Sequence, residues 1–261
     1  MILPPQQTSR ATHIKPDTLN SIVFEAMLSA SAITFSFSSQ SQGVLTMVEQ
    51  QLQNFQHGSQ LTHLLIAAID TLINPQTITE LSSVNNVYCD GNEYGQAPGE
   101  AAVCLQWEKS ALTNSLVSLS PVVKIKDLKT HIQQSATSID SVVVTHTQDH
   151  ADTIAWFDLQ LHKQPNIQTI KLFNTTGETG ATAVLLAIVY ASARLAYPFY
   201  NSHGVMIIEN QGDTVVTSMV TQLSSHPKME NIHETRNQSS ASSHPQLDSH
   251  RARDNNIEFS V

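Results

Sequence analysis

Residues 35–50, FSFSSQSQGVLTMVEQ, join a predicted strand to a predicted helix through a small polar turn. The first residues alternate apolar and polar side chains, as a strand does, and apolar residues then recur at helical spacing up to His57-Gly58. In many α/β enzymes such an elbow carries a nucleophile at its tip, because the helix N-terminus stabilises a developing negative charge. Here the tip holds Gln40, and a glutamine amide is not a nucleophile.

Strand and helix patterns alternate on both sides of this elbow. The predicted strands are AITFSF, LTHLLIAAID (buried), AAVCLQWE, PVVKIK, SVVVTH and IQTIKLF, followed by a hairpin of GVMIIEN and TVVTSMV. The predicted helices are TLNSIVFEAMLSA, NPQTITELSSV, DHADTIAWFDLQLHK (capped by Asp149) and TAVLLAIVYASARLAY. This alternation predicts an α/β fold with a mixed, mostly parallel sheet, helices on its faces, and two similar halves around a shared helical core.

Composition restricts the classes of partner and compartment. The net charge is -9 and no basic run occurs, which argues against nucleic acid and anionic membranes as partners. The two cysteines are too few for a disulfide framework, and the N-terminus lacks a signal-peptide pattern. The longest apolar run, AVLLAIVYASA, is too short to span a bilayer. We therefore expect a soluble cytoplasmic protein whose partners are proteins or small molecules.

The patterns divide the chain into three segments. Residues 1–110 form the first predicted half, residues 111–223 the second, and residues 224–261 a tail rich in Ser, His and Asn. The tail has too few apolar residues to offset its ordering entropy, so we expect disorder there and only adventitious metal binding by its four histidines. Metal-ligating residues are not grouped elsewhere in the sequence, and no cofactor is expected.

Three motifs resemble the β-ketoacyl synthases of the thiolase-like superfamily. HLLIAAID followed by PGEAAVCLQWEK is similar to their strand that ends in an acidic residue and to the Gly-Glu-Ala-Ala strand after it. LFNTTGETGATAVLLAIVYASARLAY resembles their Gly-rich turn before a long buried helix, and the elbow falls where the family keeps its nucleophile. The resemblance covers most of residues 33–220. It implies thiolase-like layered mixed sheets with helices between and outside, and an incomplete N-terminal half, since only one predicted helix and one strand precede the elbow.

The resemblance also implies positions for the catalytic groups. An active condensing enzyme of this family needs a cysteine thiolate at the elbow and two histidines. In our alignment Gln40 takes the nucleophile position, His146 the first histidine position and Gly177 the second, followed by Glu178. Glutamine at the elbow is similar to chain-length factors and decarboxylating loading ketosynthases, or reflects decay of an unused site. We do not expect condensation by this chain alone.

Two hypotheses follow for function. The first is a catalytically degenerate, chain-length-factor-like subunit in fatty-acid or polyketide-type biosynthesis, as a homodimer or with a ketosynthase-like partner, and with an acyl carrier protein as a further candidate partner. The second is an acyl-transferring or thioester-hydrolysing enzyme that uses an elbow serine with His146. The candidate pocket residues are Ser39, Gln40, Ser41, His146 and Glu178.

Three further side chains have structural roles in this interpretation. We expect Cys104 to be an inert core thiol, because it alternates within an apolar strand. We expect Glu100 to hold loops through backbone amides, as the resemblance implies. Glu178 is placed to cap the helix after it, where the helix dipole favours a carboxylate.

Overall fold

The computed structural model describes residues 1–6, 8–11, 15, 17–18, 21, 34, 36–37, 43–58, 62–84, 87–92, 95–108, 117–135, 138–145, 167–200, 202–211, 214–222 and 257–260. The first half contains β1 (Ile2–Leu3), β2 (Ser36–Phe37), α1 (Val44–Gly58), β3 (His63–Thr71), α2 (Pro75–Ser83) and β4 (Glu100–Glu108). The second half contains β5 (Val117–Leu119), β6 (Val123–Ile125), α3 (Leu128–Ser135), β7 (Ser141–Val144), β8 (Gln168–Lys171), α4 (Phe173–Thr176), α5 (Ala183–Ala196), β9 (Gly204–Gln211) and β10 (Thr214–Gln222). A final strand, β11 (Ile257–Ser260), comes close to the end of the chain.

The described strands form one mixed sheet in the order β2-β1-β3-β4-β11-β5-β10-β9-β7-β8, with β6 also paired to β10. Pairing is parallel at both ends, where β1 lies between β2 and β3 and β7 lies between β8 and β9. The middle of the sheet is antiparallel, as in the ladders of β3 with β4 and of β9 with β10. The sheet is therefore mixed as predicted, but the expectation of mostly parallel pairing was wrong, because antiparallel ladders make up its centre.

The main core lies between the two ends of the sheet and is built on α1 and α5. α5 packs on β9 and β10 of the second half and on β4 of the first. It is almost wholly apolar, and its buried residues include Leu185, Ile188 and Ala191. A helix that is apolar on nearly all sides needs cover on most of them, and α5 finds it between strands of the two halves.

A second, smaller core covers the outer face of the second half. Val142 and Val144 of β7 and Met206 and Ile208 of β9 pack there with Ile132 of α3. The alternate residues of the same strands, such as Val143 and Ile207, face the main core. Helices therefore lie both between and outside the strands, as the layered α/β fold requires.

Several sequence expectations need correction. β3 is buried on one face only: Leu65 is 44% exposed and Ile69 is 42% exposed. Cys104 was expected in the core but is exposed, because Leu105 and Trp107 take the inward positions of β4 and turn residue 104 outward. Two short described strands, β1 and β2, precede α1, where only one was predicted.

Some predicted elements lie partly or wholly outside the described residues. These are most of the helix predicted from residue 18 to 30, half of the strand AITFSF and the helix predicted after Asp149. Residues 223–256 lie outside them too, whereas residues 257–260, within the segment predicted to be disordered, form β11 between β4 and β5. The sequence prediction did not include β11.

Candidate functional site

The start of α1 lies directly after the elbow, and a buried carboxylate binds it. The Val44 N–H donates to Oε1 of Glu209 at 2.8 Å, and the Leu45 N–H donates to Oε2 at 2.9 Å. α1 has no acidic residue of its own in its first turn. Glu209, which is 3% exposed, therefore caps this helix from a strand of the other half of the chain.

Strand alternation explains how Glu209 reaches α1. Val205 and Ile207 of β9 face the main core, and Glu209 is the next residue on the same face. The sequence signal was an acidic residue in the apolar run GVMIIEN, and the sequence analysis did not single it out.

A second buried carboxylate, that of Asp70, binds the glycine-rich turn before α5. Oδ2 of Asp70 accepts the Ala181 N–H at 2.8 Å and Nη1 of Arg10 at 2.6 Å, and Oδ1 accepts the Thr71 N–H at 2.8 Å. Burial raises the pKa of Asp70, and the Arg10 charge together with the Ala181 and Thr71 N–H groups opposes that rise. Asp70 is the acidic strand end noted in the sequence, whereas Arg10 was missed, because nothing near it in sequence marks its partner.

Gly180 allows Asp70 and Arg10 to approach this turn. Its φ is +56°, and a Cβ atom there would collide with Oδ2 of Asp70 and Nη1 of Arg10. Any other residue would meet both a strained backbone and this ion pair. The glycine is thus part of the junction between the two halves.

At Gly177, the position assigned to the second family histidine, the backbone packs closely against the backbone of residues 97–99. Its φ is +71°, and a Cβ atom there would lie 2.8 Å from the carbonyl oxygen of Ala97. The backbone therefore leaves no room for a histidine side chain at residue 177.

Glu178 follows Gly177 and is 5% exposed. Its N–H donates to the Ala97 carbonyl at 2.7 Å, and its own carbonyl accepts the Gly99 N–H at 2.8 Å. In the same turn the Asp70 carboxylate accepts the Ala181 N–H. Helix capping by the Glu178 side chain stays a prediction.

A pocket of about 520 Å³ opens beside Asp70 at the end of β3. Its walls are largely apolar, and Arg10 and Glu100 supply charged groups. Glu100 accepts a hydrogen bond from the Thr71 hydroxyl at 3.2 Å rather than the backbone amide we expected. An apolar pocket of this size with a few polar groups is typical of a small-molecule site. The lining residues are Leu3, Pro4, Arg10, Ile69, Asp70, Thr71, Glu100, Ala101 and Ala102.

The remaining predicted site residues, Ser39, Gln40, Ser41 and His146, lie outside the described residues. Of the predicted set, the structure places Gly177 and Glu178, both in the turn before α5. Within the described ranges, no group of His, Cys, Asp and Glu side chains could hold a metal ion. In the same part of the chain, no helix is long and apolar enough to cross a membrane.

Comparison with known proteins identifies the fold. No family model and no curated protein matches the chain. A chain of the AntDE:AntF complex, a type II PKS acyl-carrier protein with its ketosynthase, matches with a TM-score of 0.55 and 18% identity over 82% of this chain and 66% of that one. The chain has the ketosynthase fold.

Two other solved ketosynthase structures agree. The PfaC keto synthase-chain length factor matches with a TM-score of 0.54 and 15% identity over 74% of this chain and 23% of that one. A ketosynthase from module 1 of the bacillaene synthase of Bacillus amyloliquefaciens matches with a TM-score of 0.55 and 12% identity over 92% of this chain and 55% of that one. The present chain therefore spans less than two thirds of the length of each of these three ketosynthase-fold structures.

Proposed function

We propose that this chain is a catalytically degenerate, chain-length-factor-like subunit that acts in fatty-acid or polyketide-type biosynthesis beside a ketosynthase-like partner or as a homodimer. The observation that carries the proposal is the absence of a thiol from the elbow of a ketosynthase fold. The only two cysteines are Cys89, in a loop, and Cys104, on the outward face of β4. The elbow sequence has no cysteine, and our alignment puts Gln40 where the resembling enzymes keep their nucleophile.

The position of Gly177 also supports the proposal. A condensing enzyme of this type requires a second histidine, and the alignment assigns its position to a residue whose backbone accepts only glycine. Restoring condensation would thus require rebuilding two sites rather than one side chain. This favours a role in binding or shaping an acyl chain over a role in bond formation.

The pocket beside Asp70 is a candidate for that acyl chain. Leu3, Ile69, Ala101 and Ala102 offer apolar surface of the kind that an alkyl chain contacts, inside a volume of about 520 Å³. Arg10 is already paired with Asp70, so the carboxylate of Glu100 disfavours a free fatty acid in this pocket and is compatible with a neutral acyl thioester.

Purification of the tagged chain from its native host, with mass spectrometry of stoichiometric partners, tests the subunit role. We expect a cysteine-bearing ketosynthase or an acyl carrier protein. Recovery of the chain alone, as a monomer, would contradict the proposal. A covalent adduct after incubation with an acyl thioester, lost on replacing Ser39 or Ser41, would instead support the enzyme hypothesis.

A pocket-filling substitution tests the acyl site. Ala102→Trp places a large side chain in the pocket, and we expect binding of a fluorescent acyl thioester to fall at least tenfold. Val123→Trp is the matched control, because Val123 is 47% exposed on β6 and lies outside the pocket lining. Equal affinity in both variants would exclude this pocket as the acyl site.

A further inference from the structure

We propose that Glu209 is a built-in anion that occupies the N-terminus of α1 and removes from the elbow the positive potential on which a nucleophile or an oxyanion would depend. The inference deepens the proposed function and rests on it. It concerns the chemistry of the elbow, whereas the partner experiment concerns assembly.

The hydrogen bonds at the start of α1 define which groups are available there. Among the described residues, the Met47 N–H donates to the Gly43 carbonyl at 3.1 Å, as in the first turn of a helix. The N–H groups of Val44 and Leu45 come before it and have no acceptor inside the helix. These are the groups that would face an anion at the elbow, and both donate to Glu209.

The surroundings of Glu209 hold its carboxylate in place. Its neighbours Ile207 and Ile208 are 0% and 1% exposed, and β9 pairs with β10 on one side and β7 on the other. Because Glu209 is 3% exposed beside the main core, moving its carboxylate into water would require displacing packed neighbours. An incoming anion cannot displace Glu209 without leaving a buried charge unpaired.

Because Glu209 occupies the N-terminus of α1, its expected effect on the pKa of a thiol at the elbow is opposite to the effect of an open helix N-terminus. An open N-terminus lowers a thiol pKa, because the helix dipole stabilises the thiolate. A fixed carboxylate on the same N–H groups cancels that effect and repels the thiolate. A cysteine introduced into this elbow should therefore remain a poor nucleophile.

Cysteine probes test this inference. Gln40→Cys, Ser41→Cys and Gln42→Cys are each made in the wild-type chain and in the Glu209→Gln chain, and alkylation by iodoacetamide is followed against pH by peptide mass spectrometry. With Glu209 present we expect thiol pKa values at or above the ordinary value of about 8.5. In the Glu209→Gln chain we expect the thiol pKa of at least one probe to fall by about one pH unit. This raises the thiolate fraction at pH 7 by up to about tenfold and the alkylation rate about threefold, because a less basic thiolate is a weaker nucleophile.

Glu49→Gln is the matched control. Glu49 also lies on α1 and also accepts a backbone N–H from the other half, that of Val122 at 2.9 Å, but it lies in the second turn of the helix. We expect it to leave the probes unchanged, and Cys104 gives an internal reference in every sample.

Two results would overturn the inference. One is a probe pKa well below 8 while Glu209 is present, which can be measured even if the Glu209→Gln chain does not fold. The other is a folded Glu209→Gln chain in which none of the probes changes. Neither result bears on whether the wild-type chain retains a partner, so failure here is distinguishable from failure of the subunit role.

Discussion

Asp70 and Glu209 occupy equivalent places in two different strands. Each is the next inward-facing residue after an apolar pair, Ile66 and Ala68 in β3 and Val205 and Ile207 in β9. Each binds backbone N–H groups in the other half, Asp70 at the turn before α5 and Glu209 at the start of α1. Each half of the chain therefore contributes one carboxylate that binds the backbone of the other half.

Removing the charge of Asp70 should be costly, because it leaves Arg10 without its partner. The side chains of Arg10 and Asp70 are 14% and 0% exposed, so solvent replaces little of the lost interaction. We expect Asp70→Asn to lower the free energy of unfolding by about 3 kcal/mol, the low end for a broken buried pair. Urea unfolding measures it.

The control is a double-mutant cycle with Arg10→Met. The double variant should lose less stability than the sum of the two single variants, since no charge is then left unpaired. Strict additivity would mean that the two side chains do not interact.

Alanine substitutions at two glycines with positive φ distinguish the cost of backbone strain from the cost of a steric collision. Gly91 has φ +85° with nothing near its missing Cβ, whereas Gly180 has φ +56° and faces the Asp70–Arg10 pair. We expect Gly91→Ala to cost about 1–2 kcal/mol, the energy of a left-handed backbone. Gly180→Ala should cost clearly more, because a collision adds to the strain. Equal losses in thermal or urea unfolding would contradict the crowding at Gly180.

At the scale of elements, the sequence predicts those whose signals are local. Apolar periodicity places α1 and α5 closely, and Asn74-Pro75 marks the start of α2, where the Asn74 side chain accepts the Thr77 N–H. The strands β3, β4, β9 and β10 are also predicted close to their observed bounds.

Elements that depend on distant partners could not be predicted in this way. β1 has two residues and β5 has three, so no period can be recognised in them. β11 is defined only by its pairing with β4 and β5. For the candidate site, the motif around Gly177 and Glu178 was recognised, whereas the bonds of Glu209 and Arg10 span 165 and 60 residues and leave no local pattern.

Deleting residues 257–261 tests the role of β11 in the sheet. β11 pairs with Gln106 and Trp107 of β4 and with Val117–Leu119 of β5, so its loss exposes two strand edges. We expect amide hydrogen exchange at those positions to accelerate at least tenfold, with Ser141–Val144 of β7 unchanged. A chain that ends at Ser260 is the length control. Unchanged exchange in β4 and β5 would show that β11 adds nothing to the sheet.

At the scale of the whole molecule, the main core belongs to neither half alone. Leu45 and Leu52 of α1 and Leu105 of β4 pack in the same cluster as Leu185 and Ile188 of α5. Separating the chain near residue 110 would expose apolar surface on both pieces, besides breaking the bonds of Asp70 and Glu209. We propose that residues 1–110 and 111–223 are halves of one folding unit rather than independent domains.

This proposal predicts a single unfolding transition for the intact chain. In a Trp156→Phe variant, the fluorescence of the buried Trp107 reports on the first half, while hydrogen exchange at β7 and β9 reports on the second. Because both sets of residues depend on one core, we expect their urea midpoints to coincide. We also expect residues 1–110 or 111–261, expressed separately, to unfold without a cooperative transition. Two separate midpoints, or a cooperative transition in either piece, would mean that the halves fold independently. The Asp70 and Glu209 carboxylates would then only hold two folded halves together.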